Sequence, residues 1–300
     1  MTSSAAYAAA LAQLDGLRVR KGHGTGNDFV LVPDPDSKHD LTPVQVRALT
    51  DRHLGVGGDG VLRAVPTATC PEVADQAAIA HWFMDYRNHD GSTAEMCGNG
   101  ARVFARYLVD SGLETGPEFS IATRGGACGV RIESDGDVTI DMGAATTPRL
   151  RAMPVVSVGH TSWNGSGVIV PNPHCVVFVD DADELVALDL SVAPKVEPRA
   201  MFPDGVNVEF VHRVGAHSDH HVQMRVHERG VGETLSCGTG AVAVMVATAA
   251  RDEAPRETAY TVDVPGGTVV VTRRADAHLE LRGPATLVAT LTLGPTPPAG

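Results

Sequence analysis

Two cysteines, Cys97 and Cys237, stand in the same short frame: Cys97-Gly98-Asn99-Gly100 and Cys237-Gly238-Thr239-Gly240. A thiolate is a base and a thiol is an acid, so a pair of cysteines can take a proton from one face of a carbon and return one to the other. A free thiol, with a pKa of ~8.5, is only a few per cent ionised at neutral pH. In both frames the cysteine sits where a polar loop gives way to an apolar helical pattern. A helix N-terminus presents free N–H groups and partial positive charge. That field contributes up to ~2 kcal/mol, which would make thiolate a substantial species. The same amides can hold a carboxylate, and the glycines allow the tight turn and close approach this needs.

The frames lie 140 residues apart, and their surroundings match at the same offset. Met84 falls on Met224 and Asn88 on Glu228. With small shifts, Asp59-Gly60-Val61 falls on Asp204-Gly205-Val206 and Asn27-Asp28-Phe29 on Asn172-Pro173-His174. Gly125-Gly126 falls on Gly266-Gly267 and Gly143 on Gly283. Matches in one order indicate a duplicated domain, and the period is too long for a solenoid. The expected domains are 1–143, with a returning strand at 285–300, and 144–284. Two equivalent domains closing on each other would bring one cysteine to each side of a shared cleft. Such a pair shares a proton and titrates as a pair.

The elements that must position these cysteines follow from pattern. A strand is expected at 30–32 and a helix at 43–50, with Thr42 as N-cap, Pro43 in the first turn and Gln45 completing a capping box. Strands at 81–86 and 222–226 lead into the two cysteine turns. The first helix carries an apolar stripe of Val103, Phe104, Tyr107 and Leu108. The second, at 241–250, is apolar nearly all round and reads as buried. Strands at 130–133 and 138–142 flank an Asp135-Gly136 turn. Their counterparts are 260–264, 268–272 and 277–281, and a last strand spans 285–293. The expected class is α+β: two pseudo-symmetric homologous domains, each a central helix wrapped by mostly antiparallel strands, with the active site in the cleft between them.

Composition narrows the field. At 300 residues the chain can build two cores, and its 43% hydrophobic content suits a globular protein. A formal charge of -12 disfavours nucleic-acid and anionic-membrane partners. The longest apolar run, 241–250, is too short to cross a membrane. Residues 1–14 read as a helical extension, because no basic residue precedes their apolar part. Five irregularly spaced cysteines do not form a disulfide framework, which fits a reducing cytoplasm. Cys70, Cys128 and Cys175 read as small buried hydrophobes. No metal site is expected: His217, His220 and His221 lie in a polar loop and read as surface. Neither Lys21 nor Lys38 has the context of a pyridoxal-phosphate lysine.

The motifs Gly24-Thr25-Gly26-Asn27-Asp28-Phe29, Asn88-His89-Asp90-Gly91-Ser92 and Met96-Cys97-Gly98-Asn99-Gly100 resemble those of the diaminopimelate epimerase family. So do Asn172-Pro173-His174, Gly205-Val206-Asn207 and Glu228-Arg229-Gly230 leading to Cys237-Gly238-Thr239-Gly240. The likeness runs from about Val19 to Leu293. It implies a homodimeric enzyme that interconverts LL- and meso-diaminopimelate without cofactor or metal, in lysine and peptidoglycan biosynthesis. It implies Cys97 and Cys237 as the acid/base pair. Substrate contacts would come from Asn27, Asn88, Asn172, Asn207, Glu228 and Arg229 and from the amides of Gly98, Asn99, Gly238 and Thr239. His174 and Glu228 would tune the cysteines or hold the ammonium group. Gly60 departs from the family's usual Gln, and Pro171 from its commoner Gly.

The alternatives are a racemase or epimerase of another amino acid on the same fold, a thiol redox protein, and a non-catalytic amino-acid binding protein. A distal cation at Arg229 favours a substrate with a second carboxylate, and the absence of a Cys-x-x-Cys motif weakens the redox reading.

Overall fold

The computed structural model describes residues 3–148 and 152–294, without the side chains of Ser3 and His217. The chain forms two compact units: Met1–Ile140 with Ala285–Gly300, and Asp141–Pro284. Residues 149–151, in the expected second half, and 295–300, at the end of the expected returning strand, lie outside the described residues.

In the first unit α1 (Ser3–Ala12) precedes β1 (Arg18–Gly24) and β2 (Asn27–Pro33). Helix α2 (Pro43–Thr50) leads to β3 (Gly60–Pro66) and β4 (Trp82–Asn88). Helix α3 (Gly98–Asp110) is followed by β5 (Glu118–Ala122), β6 (Cys128–Ile132) and β7 (Val138–Asp141). Along β1 to β7 the pairings run antiparallel, parallel, antiparallel, parallel, antiparallel, antiparallel.

The second unit repeats that series. Its strands are β8 (Val155–Val158), β9 (Thr161–Val170), β10 (Asn172–Phe178), β11 (Lys195–Glu197), β12 (Asn207–Arg213), β13 (His221–Glu228), β14 (Gly232–Thr234), β15 (Thr258–Val264), β16 (Gly267–Arg273) and β17 (Leu279–Gly283). Its helices are α4 (Ala182–Ala187) and α5 (Gly238–Arg251). Along β9, β10, β12, β13, β15, β16 and β17 the pairings again run antiparallel, parallel, antiparallel, parallel, antiparallel, antiparallel. A small side sheet joins β11, β8 and β9. The last strand of the chain, β18 (Thr286–Thr292), pairs antiparallel with β1.

Each unit wraps its sheet around one helix. Helix α3 packs on β1, β2, β3, β4, β6 and β18, and α5 on β9, β10, β12, β13, β15, β16 and β17. Val103, Phe104 and Leu108 of α3 are fully buried, as is the run from Phe29 to Val32 in β2. A continuous apolar run marks a strand covered on both faces. In α5, Val242 to Met245 are fully buried, but Ala250 is exposed, so the helix keeps a solvent side at its end. The α+β reading, with two repeated halves each built on a central helix, therefore holds.

Helix α2 occupies the residues expected of it. Thr42 Oγ1 accepts from the Gln45 amide at 3.4 Å, and Gln45 Oε1 accepts from the Thr42 amide at 2.8 Å. Pattern reading misses β1, because Arg18-Val19-Arg20-Lys21-Gly22-His23-Gly24 offers only Val19 as an apolar residue. The strand expected at 277–281 begins at Leu279. Ala277 instead sits in a turn at φ 71°, closed by the His278 amide donating to Asp276 Oδ1.

Two substitutions separate the contributions of core and cap. Phe104→Ala should lower unfolding stability by about 3–5 kcal/mol, through lost burial and a residual cavity. Thr42→Ala should cost about 1 kcal/mol, because only the cap is lost. Urea denaturation followed by circular dichroism reads both.

Candidate active site

In the first unit the site is built where the β1–β2 hairpin meets the head of α3. Thr25 and Gly26 turn that hairpin with φ of 50° and 84°, the two left-handed residues of a tight primed turn. Left-handed backbone is costly for a β-branched residue, and Thr25 is also fully buried. Gly24 lets the hairpin lie against the helix: a Cβ there would come within 3.0 Å of the Asn99 carbonyl.

Cys97 is the N-cap of α3, with extended backbone (φ −143°, ψ 119°), and its Sγ accepts the Gly100 amide at 3.4 Å. Sulfur thus takes the place usually held by a Ser, Thr or Asp oxygen. The amides of Gly98 and Asn99 precede the first intrahelical bond, from Ala101 N–H to the Cys97 carbonyl. Cys97 Sγ donates to Asn27 Oδ1 across 3.6 Å. Asn27 Nδ2 donates to Asp59 Oδ2 at 2.7 Å, and Asn99 Nδ2 donates to Asn27 Oδ1 at 3.3 Å. Arg102 Nη2 donates to Asn99 Oδ1 at 3.0 Å and to Thr25 Oγ1 at 3.2 Å. Asp59 only accepts and Arg102 only donates, so the series has one self-consistent orientation of both amides.

Asn88 ends β4 and donates from Nδ2 to Ser92 Oγ at 3.0 Å. It faces Gly60 across the β3–β4 ladder. A Cβ at position 60 would lie 2.6 Å from the Arg87 carbonyl and 2.8 Å from the Tyr86 ring, so this backbone path has no room for a side chain.

The second unit uses the corresponding places with different side chains. Cys237 is the N-cap of α5 (φ −124°, ψ 115°), and its Sγ accepts the Gly240 amide at 3.4 Å. The Thr239 hydroxyl lies 3.5 Å from the same sulfur. Here too Gly238 and Thr239 precede the first intrahelical bond, from Ala241 N–H to the Cys237 carbonyl. Glu228, at the end of β13, accepts from Thr234 Oγ1 at 2.6 Å, and its charge acts on Cys237. The Arg229 amide donates to Asn207 Oδ1 at 2.8 Å, and its guanidinium donates to the Asp204 carbonyl at 2.9 Å. The Arg229 stem covers Gly205, where a Cβ would lie 2.9 Å from it. His174 faces Asn207 across the parallel β10–β12 ladder. Its Nδ1 lies 2.6 Å from Glu209 Oε1, and its Nε2 lies 3.0 Å from Asn172 Oδ1.

A place at a helix head should ease the ionisation of both thiols, and Cys237 departs from this expectation. Burial, then the charges of Glu228 and Glu209, push its thiol well above the ordinary value, against the bonds from Thr239 and Gly240. Taking a charge out of water costs several kcal/mol, more than a helix dipole returns. Burial likewise pushes the Glu228 carboxyl up.

Two residues that pattern reading missed stand out. Arg102 is a fully buried cation on α3 whose charge acts on Cys97, and burial pushes its pKa down to about 10. Glu209 is a fully buried acid on β12. A charge inside an apolar run was the available signal for each: Ala101-Arg102-Val103-Phe104 and Val208-Glu209-Phe210-Val211.

Of the remaining cysteines, Cys175 is fully buried, which pushes its thiol to about 12, and Cys128 is buried. Cys70 is only half-buried, contrary to expectation. His220 stacks on Tyr260 with centroids 4.7 Å apart, and His221 lies 2.7 Å from Asp263, so both are packed more tightly than a plain surface loop.

The family model for diaminopimelate epimerase matches residues 19–148 and 168–288. A diaminopimelate epimerase of Streptomyces coelicolor is 55% identical over 274 residues, covering 90% of this chain and 92% of the relative. One from Mycolicibacterium vanbaalenii is 48% identical over 286 residues, covering 91% and 96%. Among solved structures, a phenazine-biosynthesis PhzF-family protein of Bacillus anthracis superposes with a TM-score of 0.64 at 16% identity, covering 92% of this chain and 98% of that one. A hydroxyproline epimerase of Agrobacterium vitis superposes with a TM-score of 0.61 at 15% identity, covering 92% and 91%. At such identities these structures speak to the fold alone.

Glu228 opposes ionisation of Cys237, so Glu228→Gln should move the alkylation of Cys237 by iodoacetamide to lower pH. Peptide-level mass spectrometry across a pH series reads this site by site. An unmoved or upward-shifted profile would mean that the carboxylate does not act on the sulfur.

Proposed function

Because the chain belongs to the diaminopimelate epimerase family, a family of isomerases, we propose that it interconverts LL- and meso-2,6-diaminopimelate by two-cysteine acid/base catalysis. The observation that carries this reading is the pair of sulfur-capped helices, with Cys97 heading α3 and Cys237 heading α5 in the two repeated halves. In the proposed reaction the two sulfurs approach one α-carbon from opposite faces. One, as thiolate, removes the α-proton. The other, as thiol, supplies a proton to the far face. The reverse reaction exchanges the roles.

A positioned base supplies about 10²–10⁴-fold of the acceleration. The remainder must come from donors aimed at the charge that spreads from the α-carbon into the carboxylate. The amides of Gly98, Asn99, Gly238 and Thr239 would fill this role. Glu228 would meet the ammonium group and exchange a proton with Cys237. Asn27, Asn88, Asn172 and Asn207 would orient the substrate. Arg229 would hold the distal carboxylate, since among the described residues its exposed fork is anchored at only one nitrogen, by the Asp204 carbonyl. His174 would set the field around Cys237. The single-carboxylate alternative loses its support because relatives at 46–55% identity share one description, diaminopimelate epimerase.

We further propose a cytoplasmic homodimer serving lysine and peptidoglycan synthesis. All five cysteines are free thiols, which suits a reducing compartment. Light scattering coupled to size exclusion tests the assembly.

Turnover of LL-diaminopimelate in heavy water should place deuterium in the epimerised product and, at early times, leave recovered substrate unlabelled. Cys97→Ala and Cys237→Ala should each lower kcat by at least about 10²-fold. Full epimerisation by either variant would overturn the two-base reading. Arg229→Met should raise KM for diaminopimelate at least about tenfold, as expected for a lost charge-assisted bond, with a smaller effect on kcat.

A further inference from the structure

The second unit buries an acid that the proposed reaction leaves unused. Glu209 and His174 have no solvent exposure, and Oε1 of the acid lies 2.6 Å from Nδ1 of the ring. Glu209 Oε2 is also buried and has no hydrogen-bond partner among the described residues. Helix α5 leaves room for this carboxylate, since a Cβ on Gly240 would lie 2.9 Å from Oε1. A buried acid with an unsatisfied oxygen costs stability. Its presence therefore calls for a reason other than packing.

That reason lies at the far side of the ring. His174 Nε2 is 3.0 Å from Asn172 Oδ1. A carboxylate oxygen and an amide oxygen both accept, so this arrangement, with Asn172 Oδ1 toward the ring, is complete only when both ring nitrogens donate. The oxygen of Asn172 is turned to the ring, so its NH2 group is turned away from it. A neutral ring that kept its one proton on Nδ1 for Glu209 would present a lone pair at Nε2. It would then draw the NH2 group inward and turn the Asn172 oxygen outward. The ionisable groups that act on the ring are Glu209 on β12 and Glu228 at the end of β13, and the same two carboxylates act on Cys237 at the head of α5.

We propose that Glu209 is a positioning residue: through a doubly protonated His174 it turns Asn172 so that amide N–H donors, and not the carbonyl oxygen, meet a carboxylate of the substrate. The proposal rests on the reading that Asn172 contacts the substrate. Its chemistry is selective, because an outward carbonyl would repel the same carboxylate.

Nitrogen-15 NMR of the unliganded protein at neutral pH, with His174 assigned by a His174→Gln variant, should show both ring nitrogens protonated. In Glu209→Gln one of them should move to the unprotonated position. The same variant should raise KM for diaminopimelate at least about tenfold, with kcat changed less than about threefold. Asn172→Ala should raise KM similarly, and the double variant should be no worse than Asn172→Ala alone. A singly protonated His174 in the wild-type protein overturns the proposal, whether or not any variant folds. If Asn172→Ala raises KM and Glu209→Gln does not, the relay is overturned while the substrate site stands. An unmoved KM in Asn172→Ala overturns the site reading beneath it.

Discussion

Everything at the two helix heads depends on sulfur serving as a cap. The third amide of each helix donates to the cysteine three residues earlier, at 3.4 Å in both α3 and α5. This bond fixes the sulfur at the end of a helix whose flanks are already occupied by strands. Space at the third residue differs between the two heads: a Cβ at Gly100 would meet Leu62 and Phe29 in ordinary contact at 3.4 Å, whereas one at Gly240 would press on Glu209 at 2.9 Å and on Cys237 at 3.2 Å. The chemistry of the turn and the burial of the helix are one constraint, because a sheet that wraps the helix also encloses its head.

The duplicated backbone carries unequal charges. In the first unit the sulfur meets an amide oxygen, held by a series that ends in a buried guanidinium. In the second it meets a carboxyl, with a further acid and an imidazole behind it. Two equal thiols would have no reason to hold different protons. Unequal surroundings supply that reason.

The repeat was legible because it preserves glycines and cysteines at fixed offsets, which survive where side-chain patterns drift. Helix α2 was legible to the residue because capping chemistry is local. The motifs mark their residues in the sequence, but not the partnerships these residues make. Asn27 with Asp59, and His174 with Glu209, are pairs made by strands brought together from distant parts of the chain. Strand β1 escaped notice because its neighbours on both sides, β2 and β18, give it a place that its own composition does not announce. The high thiol pKa of Cys237 was hidden for a related reason. A local field is visible in sequence, whereas the loss of water around a group is not.

The pairing of β1 with β18 also has a consequence for how the protein is made. Strand β18 comes from the last described stretch of the chain, yet it completes the sheet of the unit built from the first half. As the chain emerges from the ribosome, the later unit has all of its strands before the earlier one does. Until β18 is made, β1 offers an unpaired edge, and the flank of α3 that β18 covers stays open. Completion of the amino-terminal half is thus a late event of biosynthesis, and a chain truncated shortly before Thr286 would carry a finished second unit beside an unfinished first one.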